Sequence, residues 1–86
     1  MDIFTFDNMQ QRLKKIMTLL FDINENDIND ESSIDNVKGW DSLKHMEFIF
    51  AIEEEFKIKP LTADQVSEMR NYRAVRNVLA SSLNDT

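Results

Sequence analysis

Cysteine is absent from this chain of 86 residues, and glycine and proline occur once each, at Gly39 and Pro60. Without cysteine there is neither a disulfide framework nor a cysteine-based zinc site, so stability rests on packing alone, which suits a reducing compartment. A single glycine and a single proline leave little turn chemistry for hairpins, which disfavours a β-rich fold. Positive charge is also in deficit: 10 Lys and Arg stand against 16 Asp and Glu, a formal net charge of -6. Such a surface repels phosphate backbones and anionic membranes and favours basic protein partners, so no nucleic-acid partner is expected. No apolar run is long enough to span a bilayer, and the start Met1-Asp2-Ile3-Phe4 lacks the basic and apolar segments of a secretory signal. A soluble, cytoplasmic protein without membrane insertion is the expectation. A chain this short supports one modest core, not the deep cleft in which enzymes gather several groups, so no catalytic residues and no metal ligands are assigned.

What remains is helical periodicity. After Asp7, read as an N-cap, Met9, Leu13, Ile16, Met17 and Leu20 recur at steps of three and four, with Gln10, Gln11, Lys14 and Lys15 between them. The pattern predicts a first helix over about residues 8 to 21. From Asp22 to Gly39 periodicity gives way to Asn, Asp, Glu and Ser, with Ile23, Ile28, Ile34 and Val37 as the apolar residues expected to pin this long loop to the core. Its acids, Asp22, Glu25, Asp27, Asp30, Glu31 and Asp35, are interrupted by no base. A second helix starts after Asp41, an N-cap candidate, and runs to about Phe56 before Pro60 breaks it. Thr62 and Gln65 have the spacing of a capping box, opening a short third helix over about residues 63 to 69. Asn71 caps a fourth helix striped by Ala74, Val75, Val78, Leu79 and Leu83, with residues 84 to 86 fraying. With no repeat, low-complexity tract or linker, the expectation is one free-standing domain over residues 1 to 86, ordered from about 7 to 83, folded as an all-α four-helix bundle.

The second helix carries two apolar stripes. At roughly 100° per residue from Leu43, Phe48, Ile49, Ile52 and Phe56 fall between about 140° and 240° and form a core face. Leu43, Met46 and Phe50 fall in a separate arc from about 300° to 360°, flanked by Glu53 on one side and Glu47 and Glu54 on the other. Apolar anchors rimmed by carboxylates make a docking surface for basic partners; packing of Leu43 and Phe50 under the loop is the competing explanation.

Ser42, at the first helical position, sits where backbone N–H groups lack partners and the helix dipole is positive, a setting that stabilises an attached phosphate. Capping by Ser42, or by Asp41 beside it, is the plainer role. The string Gly39-Trp40-Asp41-Ser42-Leu43, followed by Met46-Glu47 and by Ala51-Ile52-Glu53-Glu54-Glu55-Phe56, resembles the signature of acyl carrier proteins. The resemblance extends over most of the chain in its order of helix, long acidic loop, helix, short helix and closing helix. It implies an acyl-carrier-type bundle in which Ser42 carries 4′-phosphopantetheine, with Asp41 as part of the flanking motif. It also implies a phosphopantetheinyl transferase that supplies the group from coenzyme A. The cargo would be an acyl or aminoacyl group held as a thioester, loaded by a ligase and passed to a downstream synthase or transferase. Leu43, Met46 and Glu47 would lie on the partner-recognition helix, with Trp40, Phe50, Glu53 and Glu54 assigned to the same contact, and the carrier itself would be a monomer. Two features depart from the pattern of primary fatty acid synthesis. Those carriers usually have an acidic residue after Asp-Ser-Leu, where this chain has Lys44 and then His45, and a small residue where this chain has Trp40; both favour a specialised pathway with dedicated enzymes. The many Phe residues are expected to narrow any interior cavity and favour a short, polar or aminoacyl cargo.

Other functions fit less well. A Ser42–His45 pair lacks a third orienting group, an oxyanion pocket and a substrate cleft; His45 is expected at the edge of the core or against the prosthetic arm. A calcium loop begun at Asp22 would place Asp27 where glycine is required and Ser33 where the bidentate Glu belongs. Arg70, Arg73 and Arg76 recur every three residues, but in an acidic chain they serve as ion-pair partners or a solvated face rather than a nucleic-acid site. The alternative function is an unmodified helical adaptor that binds a protein through the acidic, apolar second helix, with Ser42 acting only as a cap.

Overall fold

The computed structural model describes residues 6–84, in which four α-helices pack around one core: α1, Phe6–Phe21; α2, Ser42–Phe56; α3, Ala63–Glu68; and α4, Tyr72–Asn84. The only extended pairing among the described residues is an isolated bridge between Ser33 and Asn71. The reading of the first four residues, and fraying at 85 and 86, lie outside the described residues; Asn84 is the last residue of α4.

The stripe of α1 is buried as its spacing requires, with Met9, Leu13, Met17 and Phe21 in the core and Ile16 and Leu20 packed against it. Asp7 is not its cap: the helix already includes Phe6, so Asp7 stands in the first turn, where its charge suits the dipole. At the other end Asp22 takes a left-handed conformation, φ 55°, which aspartate tolerates better than most residues and which turns the chain out of the helix.

The long loop returns to this turn. A Cβ on Gly39 would lie 2.3 Å from the carbonyl oxygen of Phe21, so only glycine lets the two backbones meet. A single 3₁₀ turn over Glu25–Asp27, capped by Asn24, gives the loop local order. Ile28 and Val37 are buried and Ile23 packs against the core, but Ile34, expected to act likewise, is 43% exposed because it lines a surface cleft beside α3. Polar contacts complete the attachment: Asp30 meets Arg76 at 2.8 Å and Arg73 at 3.6 Å, Glu31 meets Arg73 at 2.7 Å, and the Tyr72 N–H donates to the Ser32 carbonyl at 2.8 Å. Arg73 and Arg76 are thus ion-pair partners for the acidic loop, while Arg70 donates to the Ser67 carbonyl at 3.3 Å. The hydrogen bond from Arg76, with the charges of both arginines, holds the Asp30 carboxyl below its ordinary range; burial pushes the Tyr72 hydroxyl up.

The starts of α3 and α4 follow the sequence closely. Gln65 N–H donates to Thr62 Oγ1 at 3.1 Å and Thr62 N–H to Gln65 Oε1 at 2.9 Å, which is the reciprocal capping box. Asn71 Oδ1 accepts from Ala74 N–H at 2.8 Å at the start of α4. Pro60, by contrast, is not what stops α2. Lys57 ends it three residues earlier in a left-handed conformation, φ 54°, and Arg12 braces the same end by bonding the Glu55 carboxylate at 2.9 Å and its carbonyl at 2.8 Å.

Candidate functional site at the start of helix α2

Ser42 is the first residue of α2 and is exposed. Its position is set by the residue before it: Asp41 is extended, φ -118°, its Oδ1 accepts from Lys44 N–H at 2.8 Å and its carbonyl from His45 N–H at 2.8 Å. These bonds satisfy the third and fourth amides of the helix. The N–H groups of Ser42 and Leu43 have no intrahelical partner, so the serine hydroxyl stands at the positive end of the dipole beside free donors.

Two side chains flank this turn and meet each other. Trp40 is buried, stacked on Phe21 at 4.9 Å between ring centroids and edge-on to Phe48 at 5.6 Å. Its assignment as a partner contact is therefore corrected: at 1% exposure it is a core residue and offers no surface to a partner. Its indole Nε1–H donates to His45 Nδ1 at 3.0 Å, and the two rings lie 6.0 Å apart at 18°. His45 Nε2 is 3.4 Å from the Val66 carbonyl in α3. His45 edges the core, as expected, and both of its nitrogens are engaged.

The outer stripe is free. Leu43 is 71% exposed, Met46 41% and Phe50 61%, so the loop covers none of them fully and packing under it is excluded. Glu47 and Glu54 are exposed beside them, with Lys44 Nζ 3.8 Å from Glu47. Glu53, half-buried, has a second tie: its carboxylate accepts from Leu61 N–H at 2.8 Å and holds the segment leading to α3, so it also serves the fold. On the opposite side of α2, Phe48, Ile49, Ile52 and Phe56 are buried.

One turn beyond Ser42 a surface cleft of about 430 Å³ opens between the loop, α2 and α3, lined by Ile34, Asp35, His45, Val66, Met69 and Arg70. Sequence reasoning did not find it, because its walls come from three separate segments. The one available signal was the placement of the sole tryptophan and the sole histidine on either side of Ser42.

No family model matches the chain. The fold is similar to the solution NMR structure of a holo acyl carrier protein from Geobacter metallireducens, with a TM-score of 0.78 and 25% sequence identity, covering 90% of this chain and 87% of that one. Four helices, with a long loop leading to an exposed serine of an Asp-Ser-Leu string at the start of the second, accompany this likeness, and the chain has the all-α fold of an acyl carrier protein.

Proposed function

We propose that Ser42 is the attachment site of 4′-phosphopantetheine and that the protein carries an acyl or aminoacyl group for partner enzymes of a biosynthetic pathway. The observation that carries this reading is the exposed Ser42 hydroxyl at the first position of α2, beside the unpaired N–H groups of Ser42 and Leu43. A phosphodiester fits there: it gains donors and a favourable dipole, and Asp41 is turned away into its cap. When attached, the arm supplies a thiol that holds the cargo as a thioester. The chain's own contribution is to present the serine, to dock and to release, since tethering alone gives the cargo a high effective concentration at a docked enzyme.

Leu43, Met46 and Phe50 supply the apolar contact, and Glu47 and Glu54 steer basic partners, giving fast encounter and fast release. These partners are a phosphopantetheinyl transferase, a loading ligase and a downstream synthase or transferase, met in the cytoplasm by a monomeric carrier. Lys44 within this acidic face favours a dedicated enzyme set over that of primary fatty acid synthesis. Phe21, Trp40, Phe48 and Tyr72 fill the core, which favours a short or polar cargo. Incubation with a broad-specificity phosphopantetheinyl transferase, coenzyme A and magnesium should add one phosphopantetheine mass to wild type and none to Ser42→Ala, at equal helix content by circular dichroism. An unmodified wild type beside a loaded control carrier would leave the adaptor function in its place.

A further inference from the structure

We propose that His45 is a positioning residue for the loading of Ser42, acting through the hydrogen bond that its ring accepts from Trp40. The inference rests on Ser42 being the attachment site. Trp40 lies two residues before the serine and His45 three after it, and their side chains close on each other at 3.0 Å. Beneath this closure lie the bonds from Lys44 N–H to Asp41 Oδ1 and from His45 N–H to the Asp41 carbonyl, each 2.8 Å. Ser42 is therefore held inside three nested bonds. The outermost is the one that reaches the interior, because Trp40 is packed between Phe21 and Phe48. Through it the first turn of α2 is anchored to the aromatic core, and the hydroxyl is offered from one fixed turn rather than from a fraying helix end.

The bond dictates a protonation state. The indole nitrogen only donates, so Nδ1 must accept, and the single ring proton lies on Nε2, facing the Val66 carbonyl at 3.4 Å. A second proton would set N–H against N–H and open the closure. The charged groups around the ring are Asp35 and Arg70 across the cleft and Asp41 and Lys44 on its own turn, and none of them hydrogen-bonds to it. Trp40 is the only strong hydrogen-bond partner that the ring has to lose.

Three variants separate this role from simple packing. His45→Phe keeps an aromatic ring but removes the acceptor; His45→Ala removes both; His45→Asn returns an acceptor near the place of Nδ1 without titrating. Loading is followed as intact mass against time, with the transferase, coenzyme A and magnesium. His45→Phe should load about tenfold more slowly than wild type at matched helix content, the scale of one lost hydrogen bond, and His45→Asn should restore most of that loss. The indole N–H resonance of the sole tryptophan should move from its wild-type position in His45→Phe and return toward it in His45→Asn. Equal loading by wild type and His45→Phe, or an indole resonance unmoved in His45→Phe, would overturn the role of His45 alone. A wild type that gains no mass beside a loaded control would overturn the assignment of Ser42, and the loading role with it.

Discussion

The two apolar faces of α2 are drawn from the same residue types and lie on opposite sides of one helix, yet their surroundings differ completely. Phe48, Ile49, Ile52 and Phe56 are at most 4% exposed, with Phe48 enclosed by the rings of Phe21 and Trp40. Leu43, Met46 and Phe50 are between 41% and 71% exposed, and the acids nearest them belong to the same helix. Hydrophobicity alone does not assign a job to a residue. The inner face stabilises the fold because other elements reach it; the outer face leaves its apolar area exposed, and that area is the one proposed to meet a partner.

Truncation should separate the faces most clearly. Phe48→Ala should lower unfolding free energy by about 3–5 kcal/mol in urea titration, the range for a buried phenylalanine, whereas Phe50→Ala should change it by less than about 0.5 kcal/mol. In transfer assays with partner enzymes the order should reverse, with Phe50→Ala and Met46→Ala impairing transfer at unchanged helix content. A large loss of stability in Phe50→Ala would show that the two faces are not distinct. Gly39→Ala comes next: its Cβ would press on the backbone of Phe21, and a cost of about 1–3 kcal/mol should appear in the same titration.

These contrasts also mark how far the sequence could be read. Periodicity alone separated the two stripes, because a helix maps residue spacing onto direction. The caps at Asp41, Thr62 and Asn71 were equally legible, since each needs only a short polar side chain at a fixed distance from the amide it bonds. Trp40 was not legible: in a loop no period says which way a side chain points, and burial came from Phe21 and Phe48 in two other elements. The tie that Glu53 makes to the fold was hidden for a related reason. On the wheel Glu53 stands at the rim, but the chain beyond α2 folds back to place Leu61 N–H against its carboxylate. The end of α2 was attributed to Pro60, a visible breaker, while the actual stop at Lys57 uses a conformation that lysine does not advertise.

Smaller effects refine the contrast between the acidic loop and the acidic outer face. Glu47→Lys should slow encounter with basic partners and weaken the salt dependence of transfer while leaving stability nearly unchanged. In the loop, Asp30 has its folded-state pKa lowered below the ordinary 3.8, chiefly by the hydrogen bond from Arg76. Its contribution is therefore present above the unfolded value and lost as pH falls through the folded one. Asp30→Asn should flatten that acid limb of the stability–pH curve, and an unchanged limb would show that the latch to α4 adds nothing. The smallest effect is expected at Lys57, where glycine would relieve a left-handed conformation costing about 1–2 kcal/mol but lose about 0.5–1 kcal/mol in chain entropy. A net gain of roughly 0.5 kcal/mol in Lys57→Gly should be seen by thermal or urea unfolding.

The most direct measurement is peptide-level mass spectrometry of the protein after treatment with transferase and coenzyme A, locating the adduct among the serines. Modification confined to Ser42, with Ser32, Ser33, Ser67, Ser81 and Ser82 unmodified, is the expected result. An adduct on any other serine, or none beside a fully loaded control carrier, would contradict the assignment of the start of α2 as the carrier site.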